Sequence, residues 1–114
     1  MPSPDAIRLR HMHEAITLAL QMAAWRSPTE LFSDPMLAVD LTRTLEILGE
    51  AASRLSDETR LCLVSIPFGK MVAMRNRLIH AYFDVDLDIV WTTVADDLPP
   101  LLPALESALA QLEA

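Results

Sequence analysis

The sequence predicts an all-α fold, an antiparallel bundle of four or five helices in up-and-down order. Leucine, alanine and other aliphatic residues recur at helical spacing along most of the chain, and Ser-Pro or Asp-Pro pairs that start helices precede two of these stretches. The chain has two glycines and lacks the alternation of apolar and polar residues that is typical of strands. Helices joined by short loops pack as an antiparallel bundle.

Composition limits the class of protein further. The 114 residues suit a single helical domain over residues 1–114. With 52% apolar residues, the chain is rather apolar for a small monomer, which favours a second copy or a partner. Cys62 is the one cysteine, so an internal disulfide is excluded, and we expect an inert, buried thiol. No apolar run is long enough to span a membrane, and the N-terminus lacks a signal-peptide pattern. We therefore expect a cytoplasmic protein without a membrane partner.

The first half of the chain predicts three helices. Ser3 can cap a helix over about residues 4–26, which a Ser-Pro-Thr turn should end. An aspartate-proline pair starts a leucine-rich second helix over residues 34–55. Within it, Gly49 and the alanines that follow form a small patch where a neighbouring helix could approach closely. A short third helix fits residues 57–65, because acidic residues favour its N-terminus.

The second half predicts three more helical stretches. A fourth helix should extend from residue 67 to Tyr82 or Phe83, and the acidic segment 84–88 should form a turn and a cap. A fifth helix then covers residues 89–98. The prolines that follow it must kink or restart the chain, because proline cannot continue a helix. The last helix should cover residues 101–112.

The charge of the chain is unevenly placed. The net charge is −7, yet residues 1–77 hold all nine Lys and Arg together with nine acids, so that the other seven acids lie in residues 78–114. This acidic region could be a solvated helix face or could dock onto a basic partner. Nucleic acid repels an acidic chain at long range, so any contact with it needs a local basic cluster. The best candidates are Lys70, Arg75 and Arg77, with a second group in Arg8, Arg10, His11 and His13.

Segment 74–83, MRNRLIHAYF, places two guanidinium groups, an amide, an imidazole and a phenol on one predicted helix. At ~100° per residue, Asn76 and His80 are one turn apart and can form a hydrogen bond. Arg75 and Tyr82 lie two turns apart on the same side of the helix. The angle between Arg75 and His80 is ~140°, which is wide for one compact site.

These residue types suit the cleavage of a phosphodiester without a metal. His80 can move a proton near neutral pH, and Arg75 can bind a phosphate and stabilise the charge that develops on it. Asn76 can orient the imidazole or donate to a phosphate oxygen. RNA supplies its own nucleophile, the 2′-hydroxyl. The reaction needs a base and an acid for its two proton transfers, whereas the motif has one histidine. We therefore expect a two-fold homodimer that brings two copies of the motif together.

No other chemistry is indicated. No His or Cys pair stands at metal-ligand spacing, and no glycine-rich phosphate loop is present, so we expect neither a metal nor a cofactor. The alternative for the motif itself is structural, because two arginines, an asparagine and a lone histidine could also form the salt-bridged surface of a bundle.

The motif resembles that of the HEPN superfamily, and specifically of its HepT-like branch. That superfamily carries an arginine and a histidine with four to six residues between them, as in Arg75 and His80. The branch adds a tyrosine two residues after the histidine, as in Tyr82. The string MRNRLIHAYFDVD carries most of the resemblance. Segments LEILGEAASRL (45–55) and DLDIVWTTVADDLPPLLPAL (86–105) are also similar. Phe68 departs from the tryptophan that these proteins often have, at a packing position.

The resemblance implies a dimeric all-α bundle that acts as a metal-independent endoribonuclease and as the toxin of a two-gene module. Arg75 and His80 would be catalytic and Asn76 auxiliary. The implied partner is an MntA-like minimal nucleotidyltransferase antitoxin, which would transfer AMP to Tyr82. A bulky anion there would occupy the anion site and repel RNA. Arg77 and Lys70 are candidate RNA contacts.

Two alternatives remain open. One is a catalytically quiet HEPN bundle that binds a nucleotide or scaffolds the nucleotidyltransferase. The other is a structural bundle with an unrelated partner. The intact motif favours the ribonuclease, whereas the net negative charge favours the quiet bundle.

Overall fold

A computed structural model describes residues 3–81 and 84–113, and within these ranges the chain is helical with no strand. The all-α prediction is confirmed, but the described residues form seven α-helices instead of the four or five expected, because three short helices of six residues each add to the four long ones. The predicted end of the fourth helix, Tyr82 and Phe83, lies outside the described residues. The helices are α1 (Pro4–Ala23), α2 (Pro28–Ser33), α3 (Pro35–Ser53), α4 (Asp57–Cys62), α5 (Phe68–Ala81), α6 (Leu87–Thr92) and α7 (Leu101–Glu113), with a π-helical turn at Thr93–Asp97.

Side-chain caps explain where most of the helices begin. In each case an oxygen of a serine or aspartate accepts a hydrogen bond from a backbone N–H of the first turn, which would otherwise have no partner. Three of these caps are followed by a proline, which is preset for the first helical position. The capping residues are Ser3, Ser27, Asp34, Ser56 and Asp86.

Helix α2 is a correction to the sequence analysis, which predicted only a break between residues 26 and 34. Ser27 caps this helix instead of ending the previous one, and its side chain accepts from the amide of Glu30. Six residues are too few to show a helical period, so the short helix was not predicted. Helix α1 correspondingly stops at Ala23, and Trp25 turns the chain with φ 63°.

The predicted fifth helix is divided. After α6 the chain widens into the π-helical turn, in which the amide of Leu98 donates to the carbonyl of Thr93 at 3.0 Å. Pro99 and Pro100 follow and have no amide hydrogen to donate, so the helix cannot continue through them. Helix α7 then begins at Leu101, which confirms the predicted restart.

Helix α3 lies at the centre of the fold. It packs against α1 on one side and against α5 on the other, while α7 packs on α1 and the shorter α2 and α6 contact each other and α3. The core is aliphatic, as the composition requires, and such burial is the main stabilising contribution. Its fully buried large side chains are Leu9, Met12, Ile16, Leu31, Leu41, Leu45, Val90, Val94, Leu98 and Leu105.

Gly49 sets the close approach of α3 to α5. A Cβ built at this position would lie 2.3 Å from Cβ of Arg75 and 2.6 Å from the carbonyl oxygen of Met71, both far below a normal contact. The predicted small-residue patch is therefore confirmed. It brings α3 directly beneath the first residue of the Arg75–His80 motif.

Helices α1 and α4 are joined by a polar contact. The carboxylate of Asp5 accepts hydrogen bonds from the amide and hydroxyl of Ser56, at 3.1 Å and 2.6 Å, and from the hydroxyl of Thr59. Burial alone would raise the pKa of Asp5, but these hydrogen bonds outweigh it and hold the pKa below its usual value.

The expectation that the Cys62 thiol is buried is wrong, because Cys62, at the end of α4, is exposed. The helix spans only six residues and turns Thr59 towards the interior, so that Leu61 and Cys62 face outwards. Among the described residues, no helix is both long and apolar enough to cross a membrane.

Candidate active site

Arg75 is held in place from two sides. Its Nη2 lies 2.9 Å from Oε2 of Glu50 on α3, and its Nη1 donates to Oδ1 of Asn76 at 2.9 Å. About 30% of the side chain is exposed, which leaves part of the guanidinium open to solvent. A positioned, partly exposed guanidinium is suited to binding a phosphate.

Glu50 connects two arginines. One carboxylate oxygen faces Arg75, and the other accepts from Nε of Arg54 at 3.0 Å. The hydrogen bond from Arg54 and the positive charge of Arg75 together hold the pKa of Glu50 below its usual value, against a smaller effect of burial. Glu50 is therefore an anionic brace at neutral pH, rather than a group that exchanges protons there.

His80 is exposed, and its ring is oriented by the backbone. Nδ1 lies 2.7 Å from the carbonyl oxygen of Asn76, one turn earlier. A carbonyl oxygen can only accept, so Nδ1 carries the hydrogen, and Nε2 of the neutral ring is left as the basic nitrogen. The Asn76–His80 hydrogen bond expected from the sequence is formed by the Asn76 carbonyl, whereas the Asn76 side-chain amide contacts Arg75.

A groove of about 430 Å³ opens beside Arg75, between α1, α3 and α5. Four arginines and a histidine line it together with only two carboxylates. This makes the groove basic on a chain whose net charge is −7. Ile47 and Ile79 give it two apolar edges. The basic and acidic residues that line it are Arg8, His11, Arg43, Arg54, Arg75, Glu46 and Glu50.

The sequence of this chain matches a known protein family. A family model described as “Ribonuclease HepT-like” matches residues 12–108, which include the whole of α5 and its motif. The chain belongs to the ribonuclease HepT-like family. The resemblance to the HepT-like branch of the HEPN superfamily is thereby confirmed.

Three relatives of this HepT-like chain illustrate the match. It is 34% identical over 93 residues to “Probable ribonuclease HepT” of Thermococcus cleftensis, which is 82% of this chain and 84% of that protein. It is 32% identical over 93 residues to “Putative RNase TTE0752” of Caldanaerobacter subterraneus subsp. tengcongensis, with 82% and 83% coverage. It is 34% identical over 77 residues to “Putative RNase MJ1380” of Methanocaldococcus jannaschii, with 68% and 71% coverage. No solved structure gives a significant match.

Two residues predicted to contact RNA lie outside the groove. Arg77 is exposed and lines a small depression with Asp84 and Asp86. Lys70 lines a separate groove of about 520 Å³, whose rim includes Asp96 and Asp97. Tyr82 lies outside the described residues, directly after the end of α5.

The second basic group of the sequence is divided by the helical period of α1. Arg8 and His11 turn towards the groove. Arg10 and His13 turn towards α7, where they contact Glu113 and Glu106. Among the described residues, no three His, Cys, Asp or Glu side chains lie close enough to hold a metal ion.

Sequence reasoning missed the role of Glu50 as the partner of Arg75. The available signal was its position directly after Gly49, at the place where a neighbouring helix was expected to approach.

Proposed function

We propose that this chain is a metal-independent endoribonuclease and the toxin of a two-gene HepT/MntA-type toxin–antitoxin module. The observation that carries the proposal is the arrangement on α5. Arg75 is fixed by Glu50, and His80 exposes Nε2 while its Nδ1 is bonded to the backbone. Membership of the ribonuclease HepT-like family supports RNA as the substrate.

The proposed reaction uses the ribose as nucleophile. His80 Nε2 removes the 2′-hydroxyl proton, the 2′-oxygen forms a bond to the adjacent phosphorus, and the bond from phosphorus to the 5′-oxygen breaks. Arg75 stabilises the charge on the phosphoryl oxygens. The leaving 5′-oxygen takes a proton from a second imidazole. The products are a 2′,3′-cyclic phosphate and a 5′-hydroxyl, and no metal is required at any step.

A homodimer would supply the second imidazole. Arg75 and His80 are five residues apart on α5, so they point in directions that differ by about 140°. Two exposed aliphatic side chains, Ile47 on α3 and Ile79 on α5, line the groove, and Leu18 on α1 lines an adjoining depression together with Ile47. An apolar face of this kind favours association with a second copy, and two-fold symmetry would place each His80 near the other motif.

Inhibition by AMPylation is the second part of the proposal. Tyr82 follows His80 by two residues, so a phosphate added to its hydroxyl would come close to the motif along the chain. The added anion would compete with RNA for Arg75 and repel the RNA backbone. The enzyme that adds it would be an MntA-like nucleotidyltransferase partner. Arg77 and Lys70 would contact phosphates of the strand outside the groove.

The test is expression in a bacterial host, with growth and total RNA followed after induction. We expect arrest and RNA fragments for the parent chain and neither for His80→Ala. His13→Ala, which removes a histidine on α1 far along the chain from the motif, is the matched control and should behave like the parent. The quiet HEPN bundle would instead be favoured if the folded parent protein caused neither growth arrest nor RNA fragmentation. For this outcome, mass spectrometry must show that its Tyr82 is unmodified.

A further inference from the structure

We propose that the groove between α1, α3 and α5 binds the RNA strand beside the cleaved phosphate. Arg8, His11 and Arg43 would contact the phosphate backbone of that strand. The inference rests on the proposed function, because it takes RNA as the ligand. It assigns the strand a path that the motif does not define. None of these three residues belongs to the Arg75–His80 motif.

The groove concentrates positive charge on an acidic protein. Its four arginines and two glutamates carry a formal charge of +2, so the rest of the chain, whose total is −7, carries −9. A polyanion approaching this protein is therefore repelled by most of the surface and attracted to one groove. Arg75 lines the same groove, whereas Asn76 and His80 do not, so a strand bound there reaches the phosphate-binding arginine of the motif.

The arginines of the groove divide into two kinds. Arg54 and Arg75 are both held by Glu50 and form a fixed part of its wall. Arg43 is 69% exposed and makes one long contact, 3.4 Å, to Glu46. Such exposed ion pairs contribute little to stability, so a phosphate can replace this partner readily.

Arg8 and His11 supply the opposite wall. They are three residues apart on α1 and therefore share one face of that helix. Arg8 forms no ion pair within residues 3–81 and 84–113, although its charge acts on nearby Asp5. A guanidinium that folding leaves unpaired beside a groove is available for a ligand anion.

The groove also has features that suit a nucleotide rather than a lone anion. Ile47 and Ile79 give it two apolar edges. Its volume of about 430 Å³ lies within the ~300–1,000 Å³ of sites that enclose small ligands. We expect it to hold one nucleotide-sized part of a single strand, with flanking phosphates on Arg8 and Arg43.

The test measures binding and cleavage separately. The binding probe is a fluorescent 2′-O-methyl RNA oligonucleotide, which lacks the 2′-hydroxyl nucleophile and cannot be cleaved by the proposed reaction. Arg8→Gln, Arg43→Gln and His11→Gln are compared with Arg10→Gln. Arg10→Gln changes the net charge by the same amount as the other arginine variants, on the same helix as Arg8, but its side chain faces Glu113 on α7.

We expect Arg8→Gln and Arg43→Gln to weaken probe binding by about tenfold, to reduce the salt dependence by about one phosphate contact each, and to raise KM more than they lower kcat. Arg10→Gln should match the parent.

If the parent cleaves RNA but the groove variants bind like Arg10→Gln, the groove inference is overturned and the proposed activity stands. If the parent binds through Arg8 and Arg43 but never cleaves, the groove inference is supported and the proposed activity fails. Absence of both binding and cleavage overturns both.

Discussion

The carboxylate of Glu50 and the guanidinium of Arg75 join the centre of the bundle to the motif helix, with Oε2 and Nη2 2.9 Å apart. Glu50 directly follows Gly49, where α3 and α5 approach closely. It therefore links the packing of two helices to the direction of one side chain. The proposed activity depends on that direction.

Glu50→Gln tests whether this brace positions Arg75. Glutamine keeps the size of the side chain but removes its charge, so the guanidinium gains rotational freedom. We expect kcat for RNA cleavage to fall by about tenfold, because one long side chain must then be ordered during the reaction. KM should change much less. Steady-state kinetics on a defined RNA measure both values. Glu58→Gln, an exposed change on α4, is the control, and an equal effect there would contradict a positioning role.

Gly49→Ala should destabilise the bundle. The new methyl group would meet Cβ of Arg75 and the backbone of Met71, so α3 and α5 must move apart, at a cost of about 1–3 kcal/mol. Urea denaturation measures the loss. Gly69→Ala is a matched control in α5, because a Cβ there has nothing within 4 Å. Its replacement should be neutral or stabilising by up to about 1 kcal/mol. Equal stability of both variants would refute the close approach.

Asp5 should make the stability of the chain depend on pH in the acid range. Its pKa is lower in the folded protein than in the unfolded chain, so its contribution is fully present above the usual carboxyl pKa of about 3.9 and is lost as the pH falls through the lower folded value. The free energy of unfolding, measured by urea titration between pH 6 and pH 3, should therefore fall more steeply for the parent than for Asp5→Asn.

The control for Asp5→Asn is Asp40→Asn, which lies exposed in the second turn of α3. It should keep the parent's pH dependence. A parallel pH profile for the parent and Asp5→Asn would show that the contact of Asp5 with Ser56 and Thr59 contributes nothing to stability.

Tyr82→Phe should separate cleavage from its proposed control. Phenylalanine lacks the hydroxyl that would accept AMP, yet the groove and the Arg75–His80 motif are unchanged. We expect most of the RNA cleavage to remain and co-expression with an MntA-like nucleotidyltransferase to leave it uninhibited. Intact mass spectrometry follows the modification. An AMP adduct on Tyr82→Phe would show that another residue is the acceptor.

The long helices could be predicted from sequence because their signals are local. The leucines of α3 recur every three or four residues, and serine or aspartate before proline marks where α1 and α3 begin. The short helix α2 and the π-helical turn could not be predicted, because neither is long enough to show a helical period in its apolar residues. The exposure of Cys62 depends on how α4 docks, which is a tertiary property.

The site shows the same division. The Arg75–His80 motif is contained in one helix, so its spacing could be read from the sequence. Glu50 and Arg43 lie on α3 and Arg8 on α1, and only packing brings these charges to one groove. The carbonyl of Asn76 replaced its side chain as the partner of His80, because a histidine in the last turn of a helix can reach the carbonyl four residues earlier.

The proposed reaction is tested most directly by cleavage of an end-labelled RNA by the purified chain in EDTA, with the product ends identified. We expect fragments that carry 2′,3′-cyclic phosphate and 5′-hydroxyl ends. We also expect a rate at least about 100-fold lower for His80→Ala, because the general base is lost, and no loss for His13→Ala. Fragments formed equally by His80→Ala, or by the parent only when metal is restored, would refute the metal-independent reaction at His80.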